Sequence, residues 1–332
     1  MNLQELEAQY GPLPETLDRK KMEQLLKKRD NKNALLTVPL VDAVEEWLES
    51  SEIEWNRTFV HYAMLDGTTE SLTGLEVNHA NGKLIIVLVE DYSKFNKKVV
   101  HKGVAGTIHF DLINKGYRVV WCKKFEWETP RKRTVMQSLI LHTLGKTPNR
   151  YYARKTVCEI VEPKSLTNFF NESSFYGARG ASQAVVLKDK DTGEVLQALS
   201  FGNNFYGKTK YGENTVECIR SAGKPFSVVA GGMSKLMKFY IEKFGDTFDK
   251  VIYYVDDAHF QSDSMDSVTF EYSHFAPNGV HNVWPETGAI FPRTPMLHKE
   301  IMYLQKLGLI MAVPDVGNST YVFDKKQFDE NE

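Results

Sequence analysis

The hydrophobic pattern of this chain divides it into three parts. Residues 1–51 carry apolar side chains at helical spacing, as at Met22, Leu25 and Leu26, which predicts amphipathic helices. The next part contains the uninterrupted aliphatic run 84–89, which is typical of a strand buried on both faces of a sheet. The last part alternates strand-like and helix-like stretches. The pattern predicts an α/β (α+β) protein with three parts: a helical N-terminal segment 1–51, an α/β domain 52–149 and a mixed-sheet domain 150–332.

The middle part has the order of a small α/β unit. Its aliphatic run ends in Glu90, which places a carboxylate at the carboxyl end of a central strand. A basic stretch, 97–115, predicts a helix that Gly116 stops, and 117–122 predicts a second buried strand. A further helix is predicted over 130–144.

The third part contains a strand, a glycine pair and a helix in direct succession. A hairpin is predicted over 184–201 and a strand over 215–220. Gly231 and Gly232 then allow a sharp backbone turn and leave amide groups exposed at the start of the helix that follows, where an anion can bind. A tight turn without a ligand explains the same residues equally well.

Two acidic residues follow the last buried strand, 251–255. Asp256 and Asp257 lie at a strand's carboxyl end, where open α/β sheets place their sites, and either carboxylate could act as a general base. A solvent-facing turn is the alternative. Arg220, at the end of the strand before the glycine turn, could bind phosphate or form an internal ion pair with Glu217 or Glu213.

Composition narrows the class of protein. The formal net charge is -2, and no run approaches the ~18 apolar residues that span a membrane. Three widely spaced cysteines form neither a disulfide framework nor a zinc site, which favours an intracellular protein. Basic clusters lie in the first half, among them 131–133, and make a polyanionic partner there an expectation.

The third part resembles the GNAT (N-acetyltransferase) superfamily, and more specifically a GNAT-like domain of bacteriophage DNA-acting proteins related to the Mom DNA-modification proteins. The matching segments are 200–202, 217–220, 231–236, 254–257 and 313–318. The resemblance implies that Gly231, Gly232, Ser234 and Lys235 hold the phosphate of an acyl-CoA-like donor. Val229 stands where the superfamily has arginine or glutamine. The sequence does not identify the donor.

The middle part resembles very-short-patch-repair and homing endonucleases, which precede the GNAT-like domain in such phage proteins. The matching segments are 76–78, 116–120 and 125–127, and residues 152–155 resemble the junction between the two domains in that family. The resemblance implies that Glu76 and Glu90 bind Mg²⁺, with His101 or Lys102 assisting. Asn78 stands where the fold places a carboxylate, so the nuclease site departs from the family pattern.

The predicted function is that of a phage-type DNA-acting protein in the cytoplasm of an infected bacterial host. In the leading hypothesis the GNAT/Mom-like domain modifies a nucleobase, with Asp256, Asp257 and Arg220 as candidate catalytic residues, while Glu90 is the candidate catalytic residue of the endonuclease-like domain. One alternative is a metal-dependent homing endonuclease. The other is a DNA-binding protein without catalytic activity. DNA is the expected partner in all three, and the oligomeric state is left open.

Overall fold

A computed structural model describes most of the chain. The described residues are 1–28, 38–63, 68–80, 82–90, 103–203, 205–260, 265, 269–277, 280–284, 289–291 and 297–326. His101 and Lys102, the residues expected to assist a nuclease site, lie outside these ranges. None of the described helices has the length and apolar character that a membrane span requires.

The described residues form ten helices and sixteen strands. The helices are α1 Leu3–Tyr10, α2 Arg19–Lys28, α3 Leu40–Ser50, α4 Val104–Asn114, α5 Lys124–Glu128, α6 Pro130–Thr143, α7 Thr167–Ser173, α8 Phe205–Tyr211, α9 Gly232–Phe244 and α10 His298–Lys306. The strands are β1 Asn56–Ala63, β2 Thr69–His79, β3 Gly82–Val89, β4 Tyr117–Lys123, β5 Asn149–Tyr152, β6 Thr156–Ile160, β7 Gln183–Asp189, β8 Val195–Asn203, β9 Thr215–Gly223, β10 Ser227–Ala230, β11 Lys250–Asp256, β12 Glu271–Ala276, β13 Val280–Trp284, β14 Ala289–Phe291, β15 Met311–Pro314 and β16 Asn318–Asp324. The mixed α/β class that the sequence predicts is confirmed.

The chain divides into two compact units by its internal contacts. The first unit comprises residues 1–133 and 277–317, and the second comprises 134–276 and 318–332. The division falls inside α6, and the segment 277–317 returns to the first unit. The domain boundaries that the sequence predicts, after residues 51 and 149, follow similarity to protein families. A division by internal contacts does not test such boundaries, so they stay predictions.

The first unit contains a four-stranded sheet in the order β1-β2-β3-β4. Strand β2 runs antiparallel to both β1 and β3, and β3 and β4 are parallel. Residues 84–89 are buried along the whole run, as the aliphatic pattern predicts. The helix predicted over 97–115 is observed as α4, whose preceding residues 97–102 lie outside the described part. Gly116 follows it at a φ of 87°, a conformation that favours glycine.

Charged side chains are buried at the carboxyl end of β4. Lys123 is fully buried, and its Nζ lies 3.2 Å from Oδ1 of the buried Asp315. Nε2 of His281 lies 3.1 Å from Oδ2 of the same carboxylate. Because a charge removed from water is costly unless it is paired, the contact with Asp315 offsets part of the cost of burying Lys123.

Lys132 on α6 is a second buried lysine of the first unit. Its Nζ lies 5.0 Å from the centre of the Phe125 ring. Burial lowers the pKa of Lys132 to about 8 from an ordinary value of 10.5, while the nearby Glu126 opposes the shift and Arg131 and Lys123 add to it. Since the pKa is lower in the folded state, charging this lysine opposes folding.

Replacing Lys132 with methionine is expected to stabilise the first unit. The cost of the buried charge is full below pH 8, falls between pH 8 and 10.5, and vanishes above both pKa values. The substitution also removes the contact with the Phe125 ring, which offsets part of the gain. We therefore expect the free energy of unfolding to rise by roughly 1–3 kcal/mol at pH 7. Urea denaturation at pH 7 and pH 10 measures this change, and Lys115→Met, at the exposed position that follows α4, is the control. An equal gain at both pH values would contradict this origin.

The second unit contains a seven-stranded sheet in the order β12-β16-β11-β9-β8-β7-β6. All neighbouring strands are antiparallel except β9 and β11, which are parallel. The predicted hairpin is observed as β7 and β8. Strand β10, which immediately precedes α9, forms a separate parallel pair with β5.

Two helices cover opposite faces of this sheet. Side chains alternate between the faces of a strand, so neighbouring residues of β7 report both sides. Val185 and Leu187 pack in the core that contains Leu236 and Tyr240 of α9. Their neighbours Ala184 and Val186 pack instead with Phe170 of α7. Helix α9 therefore lies on one face and α7 on the other.

Candidate functional site

A cleft of about 530 Å³ opens in the second unit where the two parallel strands separate. Strand β9 pairs with β11 only over 215–217, opposite 250–252, although both strands continue beyond these residues. The volume lies within the ordinary range of small-molecule sites. Residues 231–234, on the α9 face, and 173–176, on the α7 face, both line the cleft. The cleft is therefore lined from both faces of the sheet.

A β-bulge accompanies the separation of the strands. Arg220 is opposite Ser200 and Cys218 is opposite Phe201, so Ile219 is an extra residue on β9. A bulge bends its strand and increases the local twist. This bend turns the end of β9 away from β11 and opens the space that the cleft occupies.

The glycine pair forms the wall of the cleft on the α9 face. Gly231 is the N-cap of α9 and has a φ of 75°, in the left-handed region. The first helical hydrogen bond runs from the Lys235 amide to the Gly231 carbonyl, so the amides before Lys235 have no acceptor within the helix. A Cβ atom on Gly232 would overlap with Gln197 Oε1 and lie 3.0 Å from Val229 Cβ. Gly231, Gly232 and Ser234, which the sequence analysis proposes as phosphate-binding residues, all line the cleft.

Lys235 has a different position from the one expected. Its Nζ donates to the carbonyl oxygens of Ala153 and Thr156 at 2.7 and 2.6 Å. Lys235 is not among the residues that line the cleft. Its ammonium group instead ties the first turn of α9 to the segment that follows β5.

Asp256 lies in the cleft at the end of β11 and takes part in a hydrogen-bond network. Its Oδ2 accepts from the Tyr176 hydroxyl at 2.6 Å and lies 2.7 Å from His259 Nδ1. Its Oδ1 accepts from the Ala258 amide at 3.1 Å. The ring of His259 stacks on Phe175 at a centroid distance of 4.0 Å. The network joins the end of β11 to the loop after α7.

Asp257 does not share this site. Its Oδ2 accepts from the hydroxyl of Ser319 on β16 at 3.0 Å, and both residues are buried. It is absent from the lining of the cleft. Of the two adjacent carboxylates that the sequence proposes as bases, only Asp256 reaches the cleft.

Arg220 lines the cleft and holds the loop that carries Tyr176. Its Nε donates to the Gly177 carbonyl at 2.6 Å, and a second nitrogen donates to the Ile219 carbonyl at 2.7 Å. The guanidinium lies 5.9 Å from the centre of the Tyr176 ring. Burial lowers the pKa of Arg220, and Arg179 adds to this effect. Burial likewise raises the pKa of Glu217, a predicted ion-pair partner.

A cysteine also lines the cleft. Cys218 is buried beside the bulge, and burial raises the pKa of its thiol far above the ordinary value. A thiol must be deprotonated to act as a nucleophile. Cys218 is therefore unsuited to carry an acyl group at neutral pH.

The proposed metal ligands of the first unit lie apart. Glu76 accepts from the Tyr117 hydroxyl at 2.7 Å, which is the main cause of its lowered pKa, and from Lys83 Nζ at 3.2 Å. Glu90 accepts from the Leu40 amide at 2.9 Å and lies 3.5 Å from Lys124 Nζ.

The sheet register gives the separation of these two carboxylates. Glu76 is paired with Ile85 of β3, five residues before Glu90. At ~3.3 Å per residue the two positions are roughly 16 Å apart along the strand. The described residues contain no group of three or more His, Cys, Asp or Glu side chains that could hold a metal ion. The structure does not bring Glu76 and Glu90 together.

Three aromatic residues that line the cleft were not identified from the sequence: Tyr176, Tyr254 and Phe260. Tyr176 is 80 positions from Asp256, and nothing in its local pattern links it to β11. Tyr254 could have been proposed from its place in the strand that ends in Asp256. Phe260 follows that strand by four residues and lines the same cleft.

The solved structures that are similar to this chain include two acetyltransferases. No protein-family model matches the chain, and no curated protein does either. A GNAT-family acetyltransferase from Bacillus anthracis matches with a TM-score of 0.31 and 9% identity, over 52% of this chain and 96% of that one. A candidate phosphinothricin N-acetyltransferase matches with a TM-score of 0.27 and 11% identity, over 51% of this chain and 98% of that one.

Proposed function

We propose that this protein is a group transferase that binds an acyl-CoA-like donor in the cleft between β9 and β11. It passes the acyl group to an amine, and the amine is the exocyclic group of a nucleobase in DNA. One observation carries the proposal: a single cleft has a glycine turn at a helix N-terminus on one face of the sheet and a hydrogen-bonded network of Tyr176, Asp256 and His259 on the other. Two substrates can therefore meet between the strands.

The donor half of the proposal follows from the α9 face. Amide groups at the start of α9 and the positive end of the helix dipole stabilise a phosphate there. Beyond residue 217, β9 pairs with β8 and no longer with β11, which leaves one side of the strand facing the cleft. An extended, amide-bearing arm such as that of coenzyme A can add along such an edge. Met233 and Val229 supply apolar surface beside it.

The acceptor half follows from the α7 face. Tyr176, Tyr254 and Phe260 line the cleft and are 47%, 38% and 45% exposed. Exposed rings at the mouth of a cleft provide stacking surfaces for bases. A base inside a duplex cannot reach such a cleft without leaving the stack, so the substrate is single-stranded or flipped DNA. The proposed setting, by resemblance, is DNA in the cytoplasm of a phage-infected bacterium.

A transfer assay with ¹⁴C-acetyl-CoA tests this function. The protein is incubated with single-stranded DNA of mixed sequence, the same sequence as a duplex, or poly-lysine, and the nucleosides are analysed by mass spectrometry. We expect an acetylated nucleoside, formed faster from the single strand. Acetylation of poly-lysine alone would overturn the nucleobase as acceptor. No transfer to any acceptor would overturn the transferase.

The same preparations separate the two alternatives. Incubation with supercoiled DNA and Mg²⁺, for the wild type and a Glu90→Ala variant, tests the endonuclease alternative. Nicking that the variant loses would support that alternative and oppose the transferase. Salt-sensitive DNA binding without nicking or transfer would support the protein without catalytic activity.

A further inference from the structure

We infer that Tyr176 is the catalytic residue that exchanges a proton with the reacting amine, and that Asp256 and His259 are positioning residues behind it. This assignment rests on the proposed function. Tyr176 donates to Asp256 Oδ2 at 2.6 Å, and His259 Nδ1 lies 2.7 Å from the same oxygen. The three side chains thus form one hydrogen-bonded chain that ends in the cleft.

Accessibility distinguishes the two candidate groups. Tyr176 is 47% exposed, whereas Asp256 is only 8% exposed and already accepts from Tyr176 and from the Ala258 amide. A substrate that enters from the α7 face meets the phenol before the carboxylate. A tyrosine hydroxyl that donates one hydrogen bond keeps acceptor capacity, so it can receive a substrate N–H.

The surroundings fix the network in one arrangement. His259 stacks on Phe175, the residue before Tyr176, with ring planes only 12° apart. Arg220 donates to the carbonyl of Gly177, the residue after Tyr176. Contacts on both sides of Tyr176 therefore restrain its loop relative to β9 and β11, which is the preorganisation that proton transfer requires.

The chemical step balances without another reactant. The amine nitrogen attacks the thioester carbonyl, a C–N bond forms and the C–S bond breaks. The amine proton passes to Tyr176 Oη while the tyrosine hydroxyl gives its own proton to the departing sulfur, and Asp256 only orients the hydroxyl. The sulfur leaves with the electron pair of the C–S bond and becomes a thiol with this proton. The products are an amide and a thiol, and the network ends in its initial protonation state.

The test compares Tyr176→Phe with Asp256→Asn and with Tyr272→Phe, an exposed tyrosine on β12 outside the cleft. The assay is acetyl transfer from acetyl-CoA to single-stranded DNA, and acetyl-CoA binding and melting temperature are measured in parallel. Phenylalanine keeps the ring but removes the hydroxyl. For Tyr176→Phe we expect kcat to fall about 100-fold or more, with the Kd for acetyl-CoA unchanged. For Asp256→Asn we expect kcat to fall only about tenfold, because the amide oxygen of asparagine can still accept the hydrogen bond from Tyr176.

Each other outcome opposes the assignment. A Tyr176→Phe variant with wild-type kcat would overturn the role of Tyr176 while leaving the proposed function intact. A larger loss in Asp256→Asn than in Tyr176→Phe would make Asp256 the base and overturn the assignment. A wild type that transfers to no acceptor would overturn the proposed function and this inference with it. Equal losses in Tyr272→Phe would show a general effect of tyrosine replacement.

Discussion

Replacing Gly232 with alanine is expected to weaken acetyl-CoA binding by about ten- to a hundredfold, the loss that follows when charge-assisted hydrogen bonds to a phosphate are displaced. The added Cβ would overlap with Gln197 Oε1 and lie 3.0 Å from Val229 Cβ. The flexible glutamine can move aside, but Val229 is fixed in β10 just before the turn. The backbone of the turn must therefore shift, and with it the amides at the start of α9. Isothermal titration calorimetry measures the change.

A second glycine variant separates this effect from a general one. Gly180 also lies in the second unit, and a Cβ atom there would have no heavy atom within 4 Å. Gly180→Ala should bind acetyl-CoA with wild-type affinity. If Gly232→Ala also binds as tightly as the wild type, the glycine turn is not the phosphate site.

Replacing Asp315 with alanine is expected to lower the free energy of unfolding of the first unit by about 3–5 kcal/mol, because it leaves a buried charge without its partner. Lys123 is fully buried and its Nζ lies 3.2 Å from Asp315 Oδ1. His281 contacts the same carboxylate at 3.1 Å and would lose that contact too. All five tryptophans of the chain lie in the first unit, so tryptophan fluorescence during urea denaturation follows the unfolding of this unit.

Two further variants identify the cause. The double variant Lys123→Met with Asp315→Leu removes both charges and should unfold within about 1–2 kcal/mol of the wild type. Asp111→Ala breaks the exposed pair with Lys115, 2.6 Å apart, and should cost less than about 1 kcal/mol. A double variant as unstable as Asp315→Ala would show that packing, not charge pairing, dominates at this position.

Local patterns in the sequence were sufficient to predict the strands and the glycine turn. The aliphatic run 84–89 is typical of a strand that is covered on both faces, and it forms β3. The glycine pair precedes amphipathic residues, and α9 begins at Gly232 with Gly231 in the left-handed region. These features depend on periodicity and backbone freedom within a few residues, which a single sequence displays.

Contacts between distant residues were not predictable in this way. Tyr176 meets Asp256 across 80 positions, and Lys123 meets Asp315 across 192. The orientation of adjacent side chains was also hidden, since Asp256 faces the cleft while Asp257 binds Ser319. The contacts of Lys235 were hidden for the same reason, because the carbonyl groups to which it donates, those of Ala153 and Thr156, lie in another part of the chain.

Hydrogen exchange with and without acetyl-CoA tests the central claim most directly. If the cleft between β9 and β11 holds the donor, exchange should slow in the peptides that cover 227–236 and 217–223, with no change in residues 1–133. Slower exchange at these segments reports amides that gain hydrogen bonds or lose solvent access. Protection confined to the first unit, or no protection at saturating acetyl-CoA, would contradict the assignment of the cleft as the donor site.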